Sequence, residues 1–549
     1  MLLAVLFPVM SPQGTVSSDE GAYALQAKAL QHGSWAYDYK AAPLDPDGHA
    51  FPVVLSNRHG DQYYAYIQHP SYPVLLNGVS ALVGFTLGLH LLALLGTLGI
   101  AVSAWLMAGE IDPRFARAAF WVAAVSPALV NGYLVWAHTL AAAIAGMTLV
   151  LLVRTVRRGP AGRRTVVMAA GLAAGVLLRS EGLLFASVVA VVAAAVAWRR
   201  PADACGDVSP PGICVRAASA AVALAGLACP AVAAALLERL WTRHIVGGGY
   251  DNLHDRAAGT PWLPGRLSAA WHDLLQGSYT GSGRMLAPFA LFAFVGFGAL
   301  ALRRWRDDSV VALWIGAAVA VGLAAVQFVV YPLEPISGLF AAWPVALLGL
   351  VLVRWRREGP VVPILGATAG LFALLVLSSE YPDGGGVEWG GRFYFPLLVP
   401  LAVLAVVGLA GRLAEAPSAG RYVATGLLAS VALSGGLLGV ASGARMRADA
   451  AGLAAAVARH PSPVTVTTVP ALPRVVWSTD QNLSWMLTDS AGLRDLLMDL
   501  RSRGLTEVAV VTWRPGPGLA ASNAGFSSTK EVSEPALAAH DLGLFVLRS

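Results

Sequence analysis

Long apolar runs separated by two alternating kinds of loop constrain this chain more than any other feature. Loops of the first kind are rich in arginine and hold Arg114, Arg117, Arg154, Arg157, Arg158, Arg163, Arg164, Arg199, Arg200, Arg216, Arg303, Arg304, Arg306, Arg354, Arg356, Arg357, Arg412 and Arg421. Loops of the second kind, at 131–138, 179–181, 332–338 and 379–393, hold only Arg179 and Arg392. Because cytoplasmic loops of membrane proteins carry the excess of Lys and Arg, the pattern predicts a polytopic membrane protein whose arginine-poor loops face outward.

The composition supports this interpretation and excludes a soluble protein. The 549 residues are 56% hydrophobic and only 13% charged, whereas a soluble chain is about 25% charged. The formal net charge of +6 is a topology signal, because no soluble stretch combines a basic with an aromatic face. We therefore expect the lipid bilayer as a partner and exclude nucleic acid.

The apolar runs predict an α-helical fold with about 13 transmembrane helices. The predicted spans lie near 1–10, 87–108, 118–135, 139–153, 165–178, 182–198, 217–237, 286–302, 309–331, 339–353, 361–378, 394–411 and 422–443. Segment 73–86 is too short for a bilayer crossing of about 20 residues and predicts an interfacial or re-entrant helix. Trp136, Trp198, Trp305 and Trp355 stand at predicted span ends and suggest an interfacial aromatic belt.

The sequence predicts two domains. A transmembrane domain, 1–443, carries two large outward segments, the first outer loop 11–86 and a second loop 238–285. A small soluble extracytoplasmic α/β domain, 444–549, follows. Its predicted helices lie at 446–459 and near 491–503, and its predicted strands at 464–469, 507–513 and 542–548.

A pair of carboxylates, Asp19 and Glu20, follows the first predicted span at the start of a helical pattern. Ser17 or Ser18 could cap that helix, and acidic residues are favourable in its first turn. A carboxylate at the bilayer surface is also what a general base for a hydroxyl acceptor needs. The sequence leaves both interpretations open. The pair could also hold a divalent ion, although no complete ligand set accompanies it.

Five short motifs resemble the GT-C glycosyltransferases, polytopic enzymes that use polyprenyl-phosphate sugars and include protein O-mannosyltransferases and lipid A aminoarabinose transferases. The motifs are Asp19-Glu20, His69-Pro70-Ser71-Tyr72, Ser126-Pro127, Arg179-Ser180-Glu181-Gly182, and Gly391-Arg392-Phe393 through Pro396. The resemblance covers most of residues 1–400. It implies a helical core with a large first outer loop, Asp19 as the catalytic base, and Glu20 as its support. Two positions depart from the family: many members have Lys at the position of His69, and an acid in the second outer loop where this chain has His138.

A lipid phosphate at the outer surface needs positive charge, and the short outer loops supply only Arg179 and Arg392. The alternatives are an ion pair between Arg179 and Glu181, and snorkelling of Arg392 to the interface. Arg284, in the second large outer loop, could also clamp phosphate or merely flank a span. The predicted substrate- and phosphate-binding residues are His69, Tyr72, His138, Arg179, Glu181, Arg284 and Arg392.

These features predict an enzyme that transfers a sugar, with inversion, from a polyprenyl-phosphate donor to a hydroxyl of a glycan, lipid or protein outside the cytoplasm. The arginine-rich, lysine-poor composition suggests a bacterial inner membrane. A transporter or flippase of polyprenyl-linked glycans is the first alternative, but it would need ionisable residues within its spans, which here are almost free of them. A membrane-anchored protein that binds wall polymer is the second.

Overall fold

The structure, a computed structural model, describes residues 2–10, 15, 17–50, 55–59, 62–65, 69–199, 213–246, 262–277, 282–303, 305, 308–355, 359–379, 389–470, 472–476, 484–514, 516–538 and 541–548. The chain divides into two compact units. The helical unit comprises His90–Trp241 and Asp251–Ser442, and the sheet unit comprises Leu2–Leu89, Thr242–Tyr250 and Gly443–Ser549.

Helices dominate both units. In chain order they are α1 Leu2–Met10, α2 Ser18–Gln31, α3 Ser71–Val83, α4 Phe85–Ile111, α5 Ala116–Ala124, α6 Ala128–Asn131, α7 His138–Arg158, α8 Gly162–Leu178, α9 Glu181–Arg199, α10 Ile213–Val246, α11 Trp262–Leu274, α12 Leu286–Arg303, α13 Ser309–Val330, α14 Leu339–Ala342, α15 Pro344–Leu352, α16 Val361–Ser378, α17 Leu398–Leu413, α18 Ser418–Ala458, α19 Leu472–Val475, α20 Leu493–Ser502, α21 Gly518–Asn523 and α22 Pro535–Ala538. Short 3₁₀ turns lie at Ala42–Leu44, Pro113–Phe115, Ser282–Met285 and Arg392–Leu397.

Nine helices among the described residues are long and apolar enough to cross a membrane, which confirms a polytopic helical membrane protein. They are α4, α7, α9, α10, α12, α13, α16, α17 with the turn before it, and α18. The other four predicted spans coincide with α1, α8 and two interrupted helices. One interruption, between α14 and α15, follows from Pro344, which disfavours helical dihedrals at Trp343 (φ −139°, ψ 64°). The count of about 13 spans stays a prediction.

The core of the helical unit surrounds α17, whose residues from Leu398 to Leu409 are all buried. A helix that is apolar on every side suits this central position. Small residues let its neighbour approach closely: a Cβ added to Gly408 would lie 2.1 Å from the carbonyl oxygen of Gly349 on α15. Such contacts between small residues are typical of helices that pack within membranes.

The sheet unit contains two sheets. A three-stranded antiparallel sheet has the order β1 (Ala36–Asp38), β3 (Gln62–Ala65), β2 (Leu55–His59). A five-stranded mixed sheet has the order β5 (Trp485–Leu487), β4 (Thr465–Thr467), β6 (Glu507–Trp513), β8 (Leu542–Arg548), β7 (Ser528–Val532). The β4 strand pairs in parallel with β5 and β6, whereas β8 pairs antiparallel with β6 and β7.

Residues of the first outer loop and of the tail form one hydrophobic core in the sheet unit. Leu25 and Tyr39 are buried in the same cluster as Val464 and Phe545. The carbonyl oxygen of Ala50 also accepts a hydrogen bond from the backbone N–H of Leu487, at 2.6 Å. We predicted that the loop 11–86 belongs to the transmembrane domain, whereas the structure groups it in one compact unit with the tail. Hydropathy identifies spans, but it does not reveal which soluble segments pack together.

Candidate functional site

The start of α2 shows why the two carboxylates of the first outer loop differ. Ser17 caps the helix: its Oγ accepts from the N–H of Glu20 at 3.3 Å, and Glu20 Oε2 accepts from the N–H of Ser17 at 3.2 Å. This reciprocal capping box satisfies two N–H groups that a helix start otherwise leaves unbonded. Glu20 is fully buried, whereas Asp19, its neighbour in the first turn, is partly exposed. The capping interpretation therefore describes Glu20, and Asp19 is the more exposed carboxylate of the two. Its role as a base stays a prediction.

The second oxygen of Glu20 is engaged by an arginine that sequence analysis missed. Arg447 Nη2, on α18, lies 2.8 Å from Glu20 Oε1, and both side chains are buried. Both carboxylate oxygens of Glu20 thus accept hydrogen bonds from N–H groups. No group of three or more His, Cys, Asp or Glu side chains suited to a metal occurs within the described part of the chain. Metal dependence stays a prediction to be tested.

His69 and Tyr72, predicted to bind substrate, also lie in the sheet unit. His69 is buried and has a φ of 53°, a left-handed conformation that is uncommon for residues other than glycine. The Tyr72 ring, which is fully buried, packs edge-on against Tyr23 of α2, with centroids 5.0 Å apart. Burial, and then the nearby Tyr23 and Glu20, raise the pKa of Tyr72, so its hydroxyl stays protonated. Its role in substrate binding stays a prediction.

The helical unit brings four predicted residues together around one small cavity. It is lined by His138, Ala141, Ala145, Gly171, Leu172, Gly175, Arg179, Glu181, Gly182, Phe185, Arg392, Phe393, Phe395 and Pro396. The sequence predicts that three loops, 131–138, 179–181 and 379–393, lie on the same face of the membrane. The lining residues lie in these loops or in the segments that adjoin them. The lining combines apolar walls with two arginines and one glutamate, so its charged groups carry a net positive charge.

Arg179 and Glu181 form the ion pair that the sequence offered as an alternative. Arg179 Nη2 lies 2.8 Å from Glu181 Oε1 and its Nε lies 3.1 Å from Oε2, with both side chains 7% exposed. A tight turn joins α8 to α9, and the N–H of Gly182 bonds to the carbonyl of Arg179. Only glycine fits there, because a Cβ on Gly182 would lie 2.5 Å from the backbone of Gly175. The charge of Arg179 is therefore compensated locally.

Arg392 is held differently. It follows Gly391, which adopts a left-handed conformation (φ 61°) and whose added Cβ would lie 2.6 Å from the carbonyl oxygen of Asp273. The guanidinium carbon of Arg392 lies 5.1 Å from the ring centroids of both Trp136 and Phe393, within cation–π range. The residue is buried. The alternative of Arg392 snorkelling to the interface is therefore not what the structure shows.

Trp136 lies inside the protein rather than in an interfacial belt. We predicted that it belongs to an interfacial belt, but the side chain is fully buried beneath Arg392. His138 begins α7 beside it, with their rings 5.3 Å apart, and is also buried. Trp136 thus packs against both the guanidinium of Arg392 and the ring of His138. Position at a span end does not distinguish a lipid-facing tryptophan from one that faces a neighbouring loop.

Arg284, the last predicted phosphate ligand, is not part of this cavity. It lies in the 3₁₀ turn Ser282–Met285, is exposed, and is absent from the cavity lining. Its backbone carbonyl accepts from the N–H of Gly277 at 3.1 Å. Arg284 therefore lies outside the cavity that Arg179 and Arg392 line, and its role in phosphate binding stays a prediction.

The two ends of α7 show the charge alternation directly. The helix begins at His138 in the cavity and ends at Arg158. Its 21 residues span about 32 Å, close to the thickness of a bilayer core. At the far end Arg154 and Arg158 bind Glu110 of α4 at 2.8 and 2.9 Å. One end of α7 is therefore arginine-rich, and the other end lines the cavity. The assignment of the arginine-rich end to the cytoplasm stays a prediction.

Comparisons with known proteins identify the fold. No protein-family profile matches the chain, and no curated protein matches it in sequence. The crystal structure of apo ArnT from Cupriavidus metallidurans aligns with 100% of this chain and 96% of that chain, at 14% identity and a TM-score of 0.50. ArnT bound to undecaprenyl phosphate aligns over the same shares, at 14% identity and a TM-score of 0.48.

A third structure aligns more weakly. The archaeal oligosaccharyltransferase AglB from Archaeoglobus fulgidus, in complex with an inhibitory peptide and a dolichol-phosphate, aligns over 92% of this chain and 68% of that chain, at 12% identity and a TM-score of 0.45. The likeness to apo ArnT, over nearly the full length of both chains, shows that this protein has an ArnT-like fold.

Proposed function

We propose that this protein is a membrane glycosyltransferase that transfers a sugar from a polyprenyl-phosphate donor to a hydroxyl acceptor. The observation that carries the proposal is the cavity of the helical unit, where Arg179, Arg392 and His138 converge between apolar walls. The motifs shared with GT-C enzymes and the ArnT-like fold support it. We further propose that the site faces the outside of a bacterial inner membrane, as the arginine-poor loops predict.

The cavity suits a phosphate attached to a lipid. A buried guanidinium interacts strongly with phosphate because water screens the two charges less there, and its planar fork matches two phosphate oxygens. Glu181 compensates the charge of Arg179, so Arg392 is the arginine we assign to the donor phosphate. The rings of Trp136 and Phe393 lie within cation–π range of its guanidinium carbon and preorganise the charge. Such preorganised charge favours the departing phosphate in the transition state.

The chemistry is a single displacement. Asp19 accepts the proton of the acceptor hydroxyl, whose oxygen attacks the anomeric carbon while the bond to the phosphate oxygen breaks. The products are the glycosylated acceptor and the polyprenyl phosphate, and one displacement inverts the anomeric configuration. A phosphate leaves without protonation, so one general base suffices. Glu20 is closed to solvent and both its oxygens are engaged, which leaves Asp19 as the base.

A donor panel tests this proposal. Full-length protein in lipid nanodiscs would be incubated with radiolabelled polyprenyl-phosphate sugars, with a lipid extract, a wall-polymer fraction and a peptide pool as acceptors. We expect transfer from one such donor, release of polyprenyl phosphate, and no transfer from the corresponding nucleotide sugars. Parallel incubations with EDTA or added Mg²⁺ would determine whether the reaction needs a metal.

Three results would contradict the proposal. Transfer from nucleotide sugars alone would assign a different donor class. Movement of intact polyprenyl-linked glycan across the membrane of proteoliposomes, with no transfer from any donor, would identify a flippase. Retention of wall polymer without either activity would indicate the anchored binding protein that the sequence also allowed.

A further inference from the structure

Arg447 and Glu20 form an ion pair across 427 residues of sequence, inside the sheet unit. We propose that Arg447 is a positioning residue: it fixes the first turn of α2 through Glu20 and thereby sets the orientation of the Asp19 carboxylate. The inference rests on the proposed function in one respect, which is the assignment of Asp19 as the base. The position of the turn itself is a property of the fold.

Glu20 joins two parts of the sheet unit. One carboxylate oxygen accepts from Arg447 at 2.8 Å and the other from the backbone of Ser17 at 3.2 Å. The Glu20 side chain is 0% exposed and that of Arg447 is 3% exposed. The carboxylate therefore fixes the entry of the chain into α2 relative to α18. Neither side chain is placed to touch a substrate, so any effect on catalysis must pass through Asp19.

Burial makes this arrangement sensitive to the loss of either partner. Removing the guanidinium leaves a carboxylate in the interior without its cation, which is strongly unfavourable. The Glu20 carboxylate must then rearrange towards other polar groups or water, which disturbs the capping box with Ser17. Asp19 lies between Ser17 and Glu20 on the same turn, so its carboxylate moves with that backbone. Displacements of about 1 Å at a reacting group reduce rates by about 100-fold.

The next turn of α2 is held independently. Tyr23, three residues after Glu20, packs edge-on against Tyr72 of α3. Leu25 is buried in the hydrophobic core that the first outer loop shares with the tail. We therefore expect loss of Arg447 to reorient the first turn while the rest of α2 stays in place. A reoriented base should reduce turnover more than donor binding.

The kinetic test compares five variants of the full-length protein in nanodiscs: Arg447→Met, Arg447→Lys, Glu20→Gln, Arg447→Met combined with Glu20→Gln, and Arg459→Met. The last is a matched control, because Arg459 also pairs with a glutamate of the sheet unit, Glu534, at 2.5 Å. We expect Arg447→Met to lower kcat by about 10- to 100-fold, with the donor KM changed less than about twofold. Arg447→Lys and the double variant should recover part of kcat, and Arg459→Met should keep it.

A second measurement does not depend on activity. Asp19→Cys would be introduced after replacement of Cys205, Cys214 and Cys229 by Ser, and its reaction rate with a water-soluble maleimide measured. We expect Arg447→Met to change this rate by about threefold or more, since the first turn moves, and Arg459→Met to leave it unchanged. If Arg447→Met fails to fold, Arg447→Lys and the double variant carry the comparison.

The outcomes separate the two proposals. If wild-type protein transfers no sugar but the labelling rate responds to Arg447, the proposed function fails and the positioning of the first turn stands. If wild-type protein is active and Arg447→Met keeps both kcat and the labelling rate, the positioning role is wrong. A loss of kcat with an unchanged labelling rate would also overturn it, because the effect would not pass through α2.

Discussion

Two buried arginine–glutamate pairs, one in each unit, look alike in geometry and differ in setting. Arg179 and Glu181 lie two residues apart and line a cavity of the helical unit. Arg447 and Glu20 lie 427 residues apart and are enclosed within the sheet unit. The first pair lines a cavity, whereas the second is closed. Similar ion pairs can therefore serve a binding site in one case and hold a helix start in the other.

This difference sets what each pair can contribute. Under the proposed function, a donor phosphate in the cavity would compete with Glu181 for Arg179, so that pair would exchange one anionic partner for another. Glu20 has no such alternative, because Arg447 and Ser17 engage both of its oxygens. The open pair should thus influence donor binding, and the closed pair should influence turnover.

The largest effect is expected at Arg392, which shares the cavity with the open pair. Because Glu181 already compensates Arg179, Arg392→Gln should reduce kcat/KM for the donor by about 100-fold or more, the scale of losing a transition-state hydrogen-bond donor. Arg392→Lys should lose less, but still about 10-fold, since an ammonium cannot bind phosphate in a two-pronged manner. Arg284→Gln is the control, and equal losses in Arg284→Gln and Arg392→Gln would contradict the assignment of the cavity.

An intermediate effect should distinguish the two glutamates. Glu181→Gln removes the charge that competes with phosphate for Arg179. This variant should therefore bind the donor about threefold to tenfold more tightly, on the order of 1 kcal/mol. Glu20→Gln should leave the donor Kd within about twofold, because Glu20 is enclosed. Isothermal titration of a non-transferable donor phosphonate would measure both values. Equal changes in the two variants would remove the distinction between the open and the closed pair.

The smallest effect concerns a third, more exposed pair in the sheet unit. A hydrogen bond from Arg459 is the main cause that lowers the pKa of Glu534 below its ordinary value of 4.5, and His460 adds to it. Because the folded pKa is the lower one, this contribution to stability is present above pH 4.5 and is lost as the pH falls through the folded pKa. Arg459 is 57% exposed, so the effect should be small.

Thermal melting of wild type and Glu534→Gln between pH 7 and 3 would measure this contribution. Wild type should be the more stable at pH 7, and the two melting temperatures should converge as the pH falls below 4.5. A difference that grows towards low pH would show that the carboxylate is not stabilised by its partners.

The sequence predicted those features that depend on nearby residues. The strands at 507–513 and 542–548 form as predicted, because alternation and β-branched residues are local signals. The Arg179–Glu181 pair was also available as an alternative, since the two residues share one turn. Arg179, His138 and Arg392 line one cavity, as expected if their loops lie on the same face of the membrane.

Features that depend on tertiary contacts could not be predicted in the same way. Arg447 lies in the helical pattern that continues the last predicted span, and no local signal distinguishes it from a solvent-facing residue. The same applies to Trp136, whose burial depends on Arg392, and to the shared core of the first outer loop and the tail. One sequence contains no record of which distant segments touch. The roles of the predicted site residues therefore remain to be tested by mutagenesis.

The proposed mechanism depends on Asp19 as the general base of a sugar transfer, and replacement of this carboxylate by an amide tests that role. Single-turnover transfer from the polyprenyl-phosphate donor would be compared between wild type and Asp19→Asn, with donor binding measured on the same samples. We predict unchanged donor binding and a rate reduced by about 100-fold or more, the scale of losing a general base. A rate within a factor of two of wild type would remove Asp19 from the mechanism and contradict the account.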